Sequence, residues 1–118
     1  MVTVEQVRQV ALSLPRAYEA LVRDRVKFRV GRIVFAALSA DETELGFGFP
    51  KEARDALVAA EPAKFFLPRA SDLRYHWVEA RMAALDPDEL PELITDAWRM
   101  CVPKRVAAEH LRTLGSGR

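Results

Sequence analysis

Residues 25–38 decide the fold, and they read RVKFRVGRIVFAAL. Val26, Phe28 and Val30 alternate with three cations, and this period of two is typical of a β-strand with one buried face. Gly31-Arg32 then fit a two-residue hairpin turn, because glycine readily adopts the positive φ of a type II′ turn. The predicted hairpin pairs three sets of apolar residues across the turn: Val30 with Ile33, Phe28 with Phe35, and Val26 with Ala37.

The other face of the predicted hairpin is basic. It carries Arg25, Lys27 and Arg29, with Arg32 in the turn and Arg23 at the same strand parity. Such a strand can lie against a phosphate backbone, where arginine and lysine displace condensed counterions. It is equally typical of a solvated sheet face that resists edge-to-edge aggregation. The predicted register interleaves these cations with three apolar residues, Val34, Ala36 and Leu38.

The flanking sequence predicts helices before and after this hairpin. Residues 4–14 have apolar positions three and four apart, Thr3 and Gln6 form a capping box, and Pro15 ends the helix. A strand follows over residues 44–49. A second helix begins at Pro50, and its predicted inner stripe consists of Ala53, Ala56, Leu57 and Ala60.

The second half of the chain predicts a strand region and two further helices. Residues 65–67 fit either an edge strand or a loop plug, and residues 73–85 fit either two strands or one strand broken near Ala80-Arg81. A helix begins between Pro87 and Leu90 and ends at Pro103. The last helix runs from Lys104 to Leu114. The predicted fold class is therefore α+β, with a mainly antiparallel sheet and helices packed on one face.

Composition limits the classes of protein that this chain fits. Its 118 residues, half of them hydrophobic, predict one domain over residues 1–114 and a flexible tail over 115–118. The formal net charge of +1 argues against a strongly basic nucleic-acid coat protein. A single cysteine, a charged N-terminal segment and no long apolar run lead us to expect a cytoplasmic protein without a membrane span.

Two further clusters are candidate binding residues. Arg99, Lys104 and Arg105 form a second basic group, which either contacts DNA or reflects the helix dipole. The aromatic run around His76 and Trp77 fits either a base-stacking platform or the core, and core is the commoner fate of such residues. His76 has no evident catalytic partner. We therefore expect no enzyme, no cofactor and no metal site.

Three stretches resemble the MmcQ/YjbR family of domains of unknown function: FRVGRIVFAAL, EPAKFFLP and HWVEARMAALDPDELPELITDAWRMCVPKRV. The similarity extends from about Val4 to Leu111, although His76 stands where many relatives place glycine. It implies a frataxin-like (CyaY-like) α+β fold. It also implies DNA binding by a double-wing mode, for which the matching basic residues are Arg29, Arg32, Arg99, Lys104 and Arg105. Frataxin-like iron binding would need an acidic first helix, and this one carries only Glu5.

The sequence thus leads to two functional hypotheses. The first is a small DNA-binding or regulatory accessory domain, in which the hairpin cations contact phosphates and Lys104 and Arg105 form a second anchor. The second is a protein- or small-anion-binding module that uses the same face without catalysis. Whether the two basic clusters share one surface depends on strand order, which the sequence does not define.

Overall fold

A computed structural model describes the backbone of residues 1–116 and the side chains of residues 1–113. Its elements follow one another as α1 (Val4–Leu12), β1 (Ala17–Val22), β2 (Arg25–Val30), β3 (Ile33–Leu38), β4 (Glu44–Gly48), α2 (Lys51–Ala60), β5 (Phe65–Phe66), a 3₁₀ turn (Ala70–Asp72), β6 (Trp77–Arg81), α3 (Leu90–Arg99) and α4 (Lys104–Ser116). The six strands form one antiparallel sheet in the order β1-β2-β3-β4-β6-β5. The predicted α+β class is confirmed.

One face of the sheet is covered by helices and contains the core. The apolar sides of α1 and α3 bury Val7, Ile94 and Trp98 against Phe28 and Phe47 of the sheet. The predicted capping box is present, because Thr3 Oγ1 accepts from the Gln6 N–H and Gln6 Oε1 accepts from the Thr3 N–H. The prediction that helices pack on one face is confirmed, and the opposite face is called the open face below.

The hairpin formed by β2 and β3 contains an irregularity that the sequence pattern did not reveal. Val30 faces Ile33 as predicted, but the register shifts between Phe28 and Arg29, so that Phe28 pairs with Ala36 and Lys27 with Ala37. The predicted Phe28–Phe35 and Val26–Ala37 pairs are therefore wrong. A β-bulge inserts one residue on one strand, and here it lets both Phe35 and Ala36 be buried.

This shift separates the cations of β2 from their predicted apolar neighbours. Ala36 and Leu38 are fully buried with the core, whereas Lys27 lies on the open face beside Ala37. Only Val34 keeps its predicted place, opposite Arg29. The prediction that Val34, Ala36 and Leu38 lie among the cations on one surface is therefore wrong for Ala36 and Leu38.

The sequence pattern also failed to predict β1. This strand pairs with the whole length of β2 through a two-residue turn at Arg23 and Asp24, which have φ values of 52° and 65°. Positive φ at both turn positions is the geometry of a type I′ hairpin, a turn that Asn and Gly usually supply. Neither position of this turn is glycine or asparagine, so the sequence pattern did not predict a hairpin here. Arg23 belongs to it and does not extend the basic strand.

Helix α2 buries a face other than the predicted one. Ala53, Ala56 and Ala60 are exposed, and Leu57 is half-buried. The buried residue of α2 is Arg54, whose two terminal guanidinium nitrogens donate to backbone carbonyls, while its Nε is buried without a partner in the described residues. The alanine stripe is thus wrong because a long cation, not a small apolar residue, occupies the inner side of this helix.

The remaining elements agree with the sequence pattern in outline. Residues 65–66 form an edge strand, β6 is limited to five residues, and α3 begins at Leu90 with proline in its first turn. Helix α4 continues to Ser116, two residues beyond its predicted end at Leu114. The flexible tail over 115–118 stays a prediction, and residues 117–118 lie outside the described residues.

Candidate functional site: the open face of the sheet

One row of side chains crosses the open face and defines its shape. Strand pairing places Lys27, Ala37, Gly46, Glu79 and Phe66 side by side, one from each of five neighbouring strands. Neighbouring strands lie about 4.8 Å apart, so the α-carbons of Lys27 and Glu79 are separated by about 14 Å. The two residues between them are small. The row therefore forms a groove with a cation on one side and a carboxylate on the other.

Trp77 and Glu79 are joined directly above the groove floor. The Trp77 indole Nε1–H donates to Glu79 Oε2 at 2.7 Å. A Cβ placed on Gly46 would lie 2.6 Å from Trp77 Nε1 and 2.7 Å from Glu79 Oε2. The space that a side chain at Gly46 would fill is thus occupied by the hydrogen-bonded pair, which explains why glycine stands here.

The electrostatics of Glu79 follow from this position. Burial raises the pKa of Glu79 above its ordinary value, and the hydrogen bond from Trp77 and the charge of Arg25 only partly oppose this effect. Glu79 Oε1 accepts no hydrogen bond from the described residues, and Glu79 lines the groove. The residue therefore presents one free acceptor oxygen on the open face.

Arg54 holds the chain that leads into Trp77. Its Nη2 donates to Leu73 O at 2.9 Å, and its Nη1 donates to Tyr75 O at 3.0 Å and to Trp77 O at 3.1 Å. Close to this segment, His76 Nδ1 accepts a hydrogen bond from the backbone N–H of Lys51 at 3.0 Å. His76 therefore caps the start of α2, an ordinary structural role.

The aromatic run that leads into β6 lies outside the core. Tyr75 is exposed, Trp77 is half-buried on the open face, and both line the groove with His76. The expectation that these aromatics belong to the core is wrong, because Val78 and Ala80 take the inward positions of β6. The stacking-platform interpretation stays a prediction.

The predicted cations of β2 differ in their availability. Arg25 and Lys27 line the groove, and Arg32 lies exposed at the hairpin end of it. Arg25 Nε donates to Leu38 O at 3.2 Å, which leaves the terminal nitrogens of its guanidinium without a described acceptor. Arg29 is different, since its Nε is buried without a partner in the described part of the chain. Arg32 is therefore the exposed cation of this group, whereas Arg25 and Lys27 are half-buried in the lining of the groove.

The groove is broad and of mixed charge. Its volume is about 1120 Å³, and its charged lining residues are Arg25, Lys27, Arg32, Glu44, Arg69, Asp72 and Glu79. Asp72 is paired with Arg69 at 3.1 Å, so these two charges offset one another. The basic side thus comes from the β2–β3 hairpin, and the acidic side comes from β4 and β6.

The second basic cluster borders a separate groove. Arg99 and Lys104 lie on the rim of a cavity of about 710 Å³, and most of its other lining residues are apolar ones of β4, α3 and α4. Met100 lines both grooves, so the two lie on either side of the end of α3. Arg105 is exposed on α4 and is absent from the lining of both. The two predicted clusters therefore border neighbouring grooves that share Gly48 and Met100 in their lining.

Other candidate chemistry is limited in the described residues. Burial raises the pKa of the Cys101 thiol, and its Sγ lies 3.7 Å from Ala97 O. Among residues 1–116 we find no group of three or more acidic, histidine or cysteine side chains able to hold a metal ion. Within the same residues, every helix is too short or too polar to cross a bilayer.

The fold and its open, groove-bearing face define a small α+β protein built on a six-stranded antiparallel sheet. The chain belongs to the YjbR family, whose model matches residues 12–100. The family resemblance noted in the sequence is thereby confirmed. The match assigns no specific function.

The structure is similar to the crystal structure of the Deinococcus radiodurans protein DR2400, described with the domain DUF419. The two share 22% sequence identity at a TM-score of 0.74, over 85% of this chain and 78% of that chain. At this identity the likeness establishes the fold alone. A comparison with curated proteins found no match.

Proposed function

We propose that this protein is a non-catalytic DNA-binding module that holds a single strand in the open-face groove. The observation that carries the proposal is the placement of Lys27 and Trp77 across a floor of small residues. A cation beside an aromatic side chain is the usual means of binding single-stranded nucleic acid without sequence preference. Arg25 and Arg32 extend the basic side along the hairpin.

The width of the groove supports a single strand over a duplex. About 14 Å separates Lys27 from Glu79 in the backbone, and the side chains narrow this further. A duplex exposes only its backbone and groove edges, so it offers no base face to Trp77. The carboxylates of Glu44 and Glu79 would also repel the second phosphate backbone of a duplex.

A fluorescence-anisotropy titration with a short labelled single strand, repeated at several salt concentrations, tests the proposal. Three phosphate contacts, from Arg25, Lys27 and Arg32, predict a slope of about −2 in log affinity against log salt, or about 18-fold weaker binding at 200 mM than at 50 mM. Lys27→Ala should reduce this loss to about 7-fold. The matched control is Arg105→Ala, which removes the same charge from a site outside the groove.

Trp77 supplies the second readout. Trp77→Ala should weaken binding by about 5- to 150-fold, the cost of losing one stacked base. Binding should also quench tryptophan fluorescence in the wild type but not in Trp77→Phe, whose remaining tryptophan, Trp98, is fully buried. Binding that is absent at low salt, or equally strong to duplex and single strand, contradicts the proposal.

A protein- or small-anion-binding module is the second candidate function. It is favoured by the groove beside α3 and α4, where exposed Met100 and Leu111 adjoin Arg99 and Lys104. An apolar surface with a basic rim is suited to an acidic partner that also has apolar groups. Titration with acidic peptides separates the alternatives, because Lys104→Ala should weaken that binding while leaving DNA affinity unchanged.

A further inference from the structure

The hydrogen-bonded pair of Trp77 and Glu79 offers a stacking surface and a hydrogen-bond acceptor at one place. The Trp77 N–H is used by Glu79 Oε2 at 2.7 Å, and Oε1 of the same carboxylate has no donor among the described residues. The two oxygens of a carboxylate lie about 2.2 Å apart, so Oε1 lies within about 5 Å of the indole nitrogen. A ring placed against Trp77 therefore meets an acceptor at its edge.

From this geometry we infer that Glu79 is a specificity-determining residue that selects bases with an exocyclic amino group over thymine. The inference rests on the proposed function and adds to it the kind of nucleobase that the groove prefers. A carboxylate accepts a hydrogen bond from the N4 amino group of cytosine. Thymine presents a carbonyl oxygen at the same position, so two acceptors would face each other there.

The surroundings of Glu79 make this discrimination effective. The carboxylate is partly buried above Gly46, and its neighbours across the row are Gly46 on one side and Phe66 on the other, with Ala37 beyond Gly46. An unpaired polar group in such a place is more costly than at an exposed site. Glu44, the other carboxylate of the groove, lies two residues before Gly46 on β4. It pairs with Arg81 of β6, whereas Trp77 pairs with Gly48.

The test compares oligo-dC with oligo-dT of equal length at pH 7.5, by anisotropy. Both are pyrimidines, so stacking and phosphate contacts are closely matched. We expect the wild type to prefer oligo-dC by about 10-fold, the discrimination of one good base contact. Glu79→Gln keeps an amide oxygen for the Trp77 N–H and turns an NH₂ donor toward the groove. This variant should therefore lose the preference or reverse it in favour of oligo-dT.

Glu44→Gln is the matched control, because it removes the same charge from the same groove away from Trp77. It should keep the preference for oligo-dC. Equal binding of both strands by the wild type, or an unchanged preference in Glu79→Gln with a normal unfolding curve, overturns the inference while leaving single-strand binding intact. Failure of the wild type to bind either strand overturns the proposed function itself and the inference with it.

Discussion

Replacement of Gly46 by alanine is the most direct test of the groove floor. The added Cβ would lie 2.6 Å from Trp77 Nε1 and 2.7 Å from Glu79 Oε2, where ordinary contacts begin at 3.4 Å. Both side chains must therefore retreat by about 0.8 Å, and they leave positions set by their mutual hydrogen bond. The backbone of β4 is held on both sides by β3 and β6 and offers no compensating movement.

The expected cost follows from three contributions. Loss of a hydrogen bond to a charged group costs about 1.5–3 kcal/mol, and forcing a side chain off its rotamer costs about 0.5–1.5 kcal/mol. Alanine restricts the unfolded chain and regains about 0.4–1 kcal/mol. We therefore expect Gly46→Ala to lower the free energy of unfolding by about 1–4 kcal/mol, measured by urea unfolding followed by circular dichroism.

Gly48 provides a control on the same strand. A Cβ at Gly48 would lie 3.6 Å from its nearest neighbours, all atoms of Ala97, which is ordinary van der Waals contact. Gly48→Ala should therefore be neutral or stabilise the protein by up to about 1 kcal/mol. Gly46→Ala should also shift the emission of Trp77, because that side chain moves. Equal stabilities of the two variants, with unchanged Trp77 emission, would refute the reasoning about the floor.

Three further predictions concern stability. Burial raises the pKa of Glu79 above its ordinary 4.5, so just above pH 4.5 the folded state holds a proton that the unfolded state has lost. The free energy of unfolding should therefore fall as pH rises from 4.5 through the pKa of the folded state. Glu79→Gln should abolish this fall, as measured by urea unfolding at a series of pH values. Arg54→Met should cost about 2–4 kcal/mol, because three carbonyls lose a donor, whereas exposed Arg69→Met should cost little. Trp98→Phe should cost about 1–3 kcal/mol, since Pro15 O loses its buried indole donor at 2.8 Å.

Each of these predictions has an outcome that contradicts it. A wild type and Glu79→Gln with parallel pH profiles would mean that Glu79 ionises as freely in the folded state as in the unfolded one. Equal thermal unfolding midpoints for the Arg54 and Arg69 variants would mean that the guanidinium does not brace the chain before β6. An unchanged stability in Trp98→Phe would mean that water satisfies the carbonyl of Pro15.

The sequence predicted the fold where periodicity was regular. The alternation in β2 and the helical spacing of α3 were sufficient, because burial of one face of a strand or helix imposes these two periods on the apolar residues. The register beyond Val30 was not predictable, since a bulge depends on how Phe35 and Ala36 fit under the helices. The strand β1 was missed because its turn uses Arg23 and Asp24, and without a glycine or asparagine at either position this pair did not indicate a two-residue hairpin turn.

The candidate site was only partly predictable. Lys27 and Arg32 followed from charge and parity, and Trp77 was recognised as a possible stacking residue. Glu79 and Gly46 were not identified as partners, because 33 positions separate them along the chain and strand order alone brings them together. Arg54 was missed because a cation in a helix pattern ordinarily indicates the solvated side. Its hydrogen bonds go to backbone carbonyls of residues 73–77, and such long-range contacts do not affect the spacing of residues within the helix.

The order of the strands also determines when the groove comes into existence during folding. The meander β1 to β4 connects neighbours by short turns, so it can pair through local contacts, which form early. The side of the groove that carries Trp77 forms only when β6 pairs with β4. Packing of the core also brings Trp98 into hydrogen-bond contact with Pro15, 83 residues away. Contacts between residues so far apart in sequence slow folding, because the entropy of loop closure is lost before the contact forms. A ligand that touches both Lys27 on β2 and Trp77 on β6 would therefore stabilise the assembled sheet.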